Sequence, residues 1–171
     1  MIRTVLLVDD DRAVRQALGQ TLELADLQPI LAGSYIEAKD HISDKFQGVI
    51  VSDVSMPGKD GFALLDYAQK IDAELPVILL SGQGDIPMAV RSVGKGAFDF
   101  LEKPCAPSDL IAVVEKALRS RALVLENRLL RKQWEEVLTL CGPDLVREIW
   151  FDGSCIVPLP SSAKGVVQVR P

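Results

Sequence analysis

The stretch Gly48–Gly61, GVIVSDVSMPGKDG, decides how the chain is read. GVIV is apolar without alternation, which suits a short strand covered on both faces, as in a parallel sheet. It runs directly into Ser52 and Asp53 and then into Val54-Ser55-Met56-Pro57-Gly58-Lys59-Asp60-Gly61. The Pro-Gly and Asp-Gly pairs mark a turn and the start of a helix. A carboxylate at the end of such a strand sits at the sheet edge where open α/β folds carry their sites.

Four further apolar runs flank it: Thr4–Val8 (TVLLV), Pro29–Ala32 (PILA), Pro76–Leu80 (PVILL) and Phe98–Leu101 (FDFL). Helical patterns alternate with them. Val14, Leu18, Leu22 and Ala25 share one helix face behind an Asp11 cap, and Ser34 with Glu37 forms a capping box. Phe62, Leu65, Ala68 and Ile71 line a third helix. Asp85 caps a weaker one through Met88, Ala89 and Val93, and Pro107 opens a last helix that runs past Leu118. Strand–helix alternation repeated in this way predicts a doubly wound, five-stranded parallel α/β sheet with right-handed crossovers.

The strands end on chemistry. The first ends in Asp9, Asp10 and Asp11, the third in Asp53, the fourth in Ser81-Gly82 and the fifth in Lys103-Pro104. With the strand order 2-1-3-4-5, carboxylates, hydroxyl and ammonium converge on one cleft. Two carboxylates about 4 Å apart repel by roughly 4 kcal/mol at an effective dielectric near 20. Asp9, Asp10 and Asp53 therefore need cations, and Lys103 supplies one charge only. A hard divalent ion such as Mg²⁺, which takes oxygen ligands and a substrate phosphate, fits the remainder.

VLLVDDD, VSDVSMPGKDG, LLSG and FLEKP together resemble the response-regulator receiver family, in its order and at its spacing, over residues 1–122. The resemblance implies a flavodoxin-like fold and a phosphoryl group accepted on Asp53 from the phosphohistidine of a sensor histidine kinase. It implies Mg²⁺ held by Asp10, Asp53 and the Ser55 backbone carbonyl, with Asp9 acting through a water. Lys103 is expected to pair with Asp53 before transfer and with a phosphoryl oxygen after it. Ser81 is expected to donate to another phosphoryl oxygen, with Phe100 as the aromatic switch, and Ser55 and Gln83 to tune dephosphorylation. On this reading the chain is not an enzyme. The GDIPMAV stretch (84–90) is similar to receivers of activators that work with the nitrogen-type sigma factor, the C4-dicarboxylate transport regulators in particular. That implies a signal-input role in transcription.

Two positions depart from the family pattern: Cys105 stands where Phe is usual, and Ala106 is a poor cap for the following helix. After the receiver, Leu118, Ala122, Leu125 and Leu129 recur at spacings of four, three and four, a short coiled-coil seam that fails at Lys132 and Glu136. Residues 123–136 are read as a helical linker and 137–171 as an irregular tail. In the family such a linker pairs receivers, so a homodimer through the last helix and linker is expected. The basic residues Arg119, Arg121, Arg128, Arg131 and Lys132 are read as a solvated helix face, and His41 as a surface residue.

Composition bounds the alternatives. A net charge of −5 argues against direct nucleic-acid binding. The start, MIRTVLLVDDDR, reaches acid too soon for a secretory leader, and no apolar run spans a membrane. Cys105, Cys141 and Cys155 are odd in number and scattered, so reduced thiols in a cytoplasmic protein are expected. The tail holds no phosphate-binding G-x-x-x-x-G-K-[ST] loop and no helix-turn-helix pattern. The alternative to a working phosphoacceptor is therefore a non-phosphorylated interaction module, or a truncated regulator without output activity. An aspartate phosphatase matches Asp9-x-Asp11 superficially, but Ala13 stands where that class wants Thr or Val, and the MPGKDG loop has no place in it.

Overall fold

A computed structural model describes residues 2–82 and 93–145 of the chain, with side chains as far as 136. Its elements are β1 (Thr4–Val8), α1 (Arg12–Leu24), β2 (Gln28–Ala32), α2 (Tyr35–His41), β3 (Val49–Asp53), α3 (Gly61–Ile71), β4 (Val77–Ser81), β5 (Asp99–Glu102) and α4 (Pro107–Leu145). The strands form one parallel sheet in the order β2-β1-β3-β4-β5. This is the doubly wound arrangement that the alternation of strand and helix patterns predicts. The helix expected from Asp85, and the tail from 146, lie outside the described residues. Residues up to Arg128 pack as one compact unit, and the chain from Leu129 belongs to a second.

Helix starts follow local chemistry. The Asp11 carboxylate accepts the backbone N–H groups of Ala13 and Val14, and Asp60 Oδ1 accepts that of Ala63. Ser34 Oγ accepts from the Glu37 N–H, while the Glu37 carboxylate accepts from Gly33 N, so the capping box closes one residue earlier than its usual form. Each cap satisfies a backbone donor that the first helical turn leaves without a partner. The poor cap at Ala106 is compensated: its carbonyl accepts from Asp109 N and Leu110 N.

Side chains alternate along each strand into two core layers. Leu6, Val8, Ile50 and Leu79 face α2 and α3, meeting Ala38, Phe62, Leu64, Leu65 and Ala68. Val5, Leu7, Val51, Ile78 and Leu80 face the other way, onto Leu22 of α1 and Leu110, Val114, Ala117 and Leu118 of α4. Burying each such side chain contributes about 1.5–3 kcal/mol. Cys105 packs against this second layer, in place of the larger aromatic, and α4 still docks.

Three expectations change. Strands β2 and β5 are edges and are only partly covered, unlike β1, β3 and β4. On α3, Leu64 is buried and Ile71 is 38% exposed, so the fully buried face runs through Leu64 and Leu65 and ends at Ala68. The basic face of the last helix is not wholly solvated. Arg121 is 1% exposed. It donates to the carbonyls of Phe46 (2.8 Å) and Glu74 (3.3 Å) and pairs with Asp72 at 2.8 Å. Two turns on, Arg128 grips both Asp72 oxygens at 2.7 Å and the Glu74 carboxylate. Together they bind α4 to the turn between α3 and β4.

The paired Arg128 fork, opposed by burial and helped by the Glu74 N–H and by Arg121, holds the Asp72 carboxyl far below the usual carboxylate range. Replacing Asp72 by Asn leaves the Arg121 charge buried without its partner, and breaking such a pair costs about 3–5 kcal/mol. Urea unfolding of Asp72→Asn at neutral pH is expected to show that loss. An unfolded Asp titrates near 3.9, above the folded group, so the contribution is complete at neutral pH and fades as pH falls below about 4. The gap between variant and parent should narrow over that acid range.

Candidate functional site

A parallel sheet brings all its carboxyl ends to one edge, and the register here decides which side chains meet. Val8 lies beside Ser52, Asp53 beside Leu80, and Ser81 beside Glu102. Asp9 therefore follows β1, Asp53 and Ser81 are the last residues of β3 and β4, and Lys103 follows β5. The chain ends are pinned by backbone bonds: Asp9 N to Ala32 O, Val54 N to Leu80 O, and Lys103 N to Ser81 O.

Carboxylate oxygens of Asp9, Asp10 and Asp53 lie within 4.8 Å of one another. Asp9 and Asp53 are buried and Asp10 is exposed. Lys103 reaches in from β5, donating to Asp9 Oδ2 at 2.6 Å and lying 3.1 Å from Asp53 Oδ1. The ammonium is thus shared, and held more tightly by Asp9 than by the expected partner, Asp53. Burial alone would lower its pKa. The hydrogen bond it donates to Asp9 and the charges of Asp53 and Asp9 outweigh this, and the group is held above its ordinary value. Asp9 Oδ1 accepts from the Asp11 N–H at 2.9 Å, so both Asp9 oxygens already have protein donors.

Three carboxylates against one ammonium leave excess negative charge in a largely buried corner. All the donors are oxygens, one carboxylate faces solvent, and the Ser55 carbonyl lies in the exposed loop just after β3. This donor set suits a hard divalent cation. The loop is held close. Gly61 N donates to the Val54 carbonyl, and a Cβ at Gly61 would run into the carbonyl of Asp53. Buried Val54 and Met56 anchor the same loop from below.

Of the residues singled out in the sequence, Asp9, Asp10, Asp53 and Lys103 meet directly. Ser81 is buried on the next strand end, and its hydroxyl donates to the Gly82 carbonyl. Phe100 is half-buried and packs against the core layer under α3. Gln83 lies outside the described residues. The sequence reading missed Arg15, whose Nη1 donates to the Asp9 carbonyl at 2.5 Å. Its place four residues after the Asp11 cap, in the first turn of α1, was the available signal.

Residues 5–115 match the family model described as the response regulator receiver domain. The chain is 45% identical over 148 residues to the C4-dicarboxylate transport transcriptional regulatory protein DctD of Rhizobium meliloti, covering 85% of this chain and 32% of that protein. It is 49% identical over 127 residues to the protein of the same name from Pseudomonas aeruginosa, covering 74% and 28%. It thus spans about a third of the length of these relatives. Among solved structures, the beryllofluoride-activated NtrC4 receiver domain dimer aligns with a TM-score of 0.66 and 32% identity, over 70% of this chain and 99% of that one.

Lys103→Met leaves the buried Asp9 and Asp53 carboxylates without their cation, with an expected loss of about 3–5 kcal/mol. A ligand that binds only the folded state stabilises it by mass action. Millimolar Mg²⁺ should therefore raise the melting temperature of Lys103→Met more than that of the parent, as read by differential scanning calorimetry. Equal or smaller stabilisation of the variant would count against an uncompensated charge at this edge.

Proposed function

Because this chain belongs to the response-regulator receiver family, we propose that it is a phosphoacceptor whose Asp53 takes a phosphoryl group from the phosphohistidine of a sensor histidine kinase. The observation that carries this reading is the convergence of Asp53 with Asp9, Asp10 and Lys103 at one sheet edge. An Asp53 oxygen attacks phosphorus, the P–N bond of the donor breaks, and the imidazole leaves. Asp10, Asp53 and the Ser55 carbonyl, with Asp9 acting indirectly, would hold Mg²⁺, which would supply charge neutralisation for the phosphoryl oxygens. Lys103 releases Asp53 and pairs with a phosphoryl oxygen. Ser81 turns its hydroxyl to another, and the space it leaves lets Phe100 turn inward, so that one local charge event biases a two-state surface. Ser55 and Gln83 govern how fast water removes the group. The chain turns over no substrate of its own and is not an enzyme.

Its role is signal input to a transcriptional regulator, as in the DctD proteins it resembles, and it acts in the cytoplasm. No helix among the described residues is long and apolar enough to cross a membrane. Its partners are the kinase and a second copy of itself, met through α4 and the linker, with no direct contact to nucleic acid from this acidic chain. Support for the self-association comes from the exposed Leu123, Leu129, Leu130 and Trp134 and from the dimeric receiver among similar structures. Leu118, by contrast, is buried in the chain's own core and is not available to a partner.

Incubation with acetyl phosphate and Mg²⁺, followed by intact mass spectrometry, should give one phosphate adduct that requires Mg²⁺ and is absent from Asp53→Ala. Sedimentation of the same samples should show a larger dimer fraction with the adduct. No adduct on folded protein, even with a histidine kinase as donor, would favour the non-phosphorylated interaction module.

A further inference from the structure

Arg15 sits in the first turn of α1, half-buried, beside the site but outside the set of groups assigned to phosphoryl chemistry. Its Nη1 donates to the backbone carbonyl of Asp9 at 2.5 Å, so it holds the peptide that joins Asp9 to Asp10. The other side of the guanidinium lies against Gly33, at the end of β2. A Cβ built on Gly33 would stand 3.1 Å from Nη1 and 3.4 Å from both Cζ and Nη2. These near-equal distances mean that the guanidinium plane faces the glycine. Gly33 is itself fixed, its N–H donating to Glu37 Oε2 at 2.6 Å. Arg15 is thus wedged between the turns that follow β1 and β2. It completes a full set of constraints on Asp9, whose N–H donates to Ala32, whose two carboxylate oxygens accept from Asp11 N and Lys103, and whose carbonyl accepts from Arg15.

We infer that Arg15 is a positioning residue for the metal site, holding the Asp9–Asp10 peptide so that both carboxylates stay within reach of Asp53. This rests on the reading that the acidic cluster binds Mg²⁺. Geometry and charge here pull in opposite directions. Arg15 brings positive charge to an edge that would take a cation, so removing it should tighten Mg²⁺ binding if charge were its only effect. As a positioning group it does the reverse, because groups that orient metal ligands are typically worth 10–100-fold in affinity. Arg is suited to the task by its rigid planar fork, which Lys lacks.

The test is calorimetric Mg²⁺ titration of the full chain, with thermal unfolding of each variant alongside. Arg15→Gln is expected to weaken Mg²⁺ about 10-fold or more, with Arg15→Lys between it and the parent. Gly33→Ala, which crowds the guanidinium from its other face, should weaken Mg²⁺ in the parent but add nothing in the Arg15→Gln background, since both act through one contact. These losses should appear in variants that unfold as single cooperative transitions. If Arg15→Gln does not fold, Arg15→Lys and Gly33→Ala carry the test. Tighter or unchanged binding in Arg15→Gln, or additive losses in the double variant, would overturn the positioning role. Asp53→Asn separates the two ideas. If it abolishes Mg²⁺ binding while the Arg15 variants bind as the parent does, only the role of Arg15 falls. If it binds Mg²⁺ as the parent does, the metal reading falls and the role of Arg15 falls with it.

Discussion

The structure turns on the placement of two buried carboxylates, Asp9 and Asp53, at the ends of adjacent central strands. A carboxylate removed from water is tolerated only when it is paired and hydrogen-bonded. The ammonium that meets this need comes from Lys103, at the far end of the chain's strand sequence and from the edge strand β5. The sheet must therefore be complete, from β1 to β5, before either acid has its partner. Every nearby feature serves that closure: backbone bonds seat Asp9, Val54 and Lys103, and the loop after β3 closes onto the Asp53 carbonyl at Gly61.

A second ionic cluster, half of it buried, lies before the strands rather than after them, where buried Asp72 and Arg121 with the exposed Arg128 and Glu74 join α4 to the start of β4. The two clusters differ in balance. Here two guanidiniums meet two carboxylates, charges cancel, and backbone carbonyls of Phe46 and Glu74 take further donors. Among these buried groups only Arg121 Nε lacks a partner. The cluster at the strand ends has three carboxylates and one ammonium. A balanced cluster fixes a helix, whereas an unbalanced one asks for another cation and yields when one arrives. The contrast separates an ionic group that holds the fold from one suited to chemistry, using charge and burial alone.

What the sequence made legible follows from how local each feature is. The runs TVLLV and GVIV could be read as strands because burial on both faces leaves an unbroken apolar signature, and Asp11 and Ser34 read as caps because capping depends on neighbours three residues away or fewer. The meeting of Asp9, Asp53 and Lys103 was legible only through the assumption of a strand order. Arg121 was not legible at all. Its spacing on the helix is that of a solvated basic residue, and its burial depends on Asp72, 49 positions earlier in the chain. The exposure of β2 and β5 likewise depends on their being edges, which no local pattern encodes.

The same limit explains why the leucine repeat along α4 misleads when read as one seam. Leu118, Ala122, Leu125 and Leu129 share a stripe, yet Leu118 is 7% exposed within the receiver's own core and Leu129 is 57% exposed. A period near 3.5 records only that one helix face is apolar, not whose surface covers it. Arg121 and Arg128, seven residues apart and both paired with Asp72, show where the receiver's hold on that helix runs. Over that span the helix face is committed to its own sheet and turn, and its rotation is set by the ion pairs. The apolar side chains left for any partner are those the receiver does not cover, and the carboxylate that fixes that rotation, Asp72, lies at the opposite end of the sheet from Asp53.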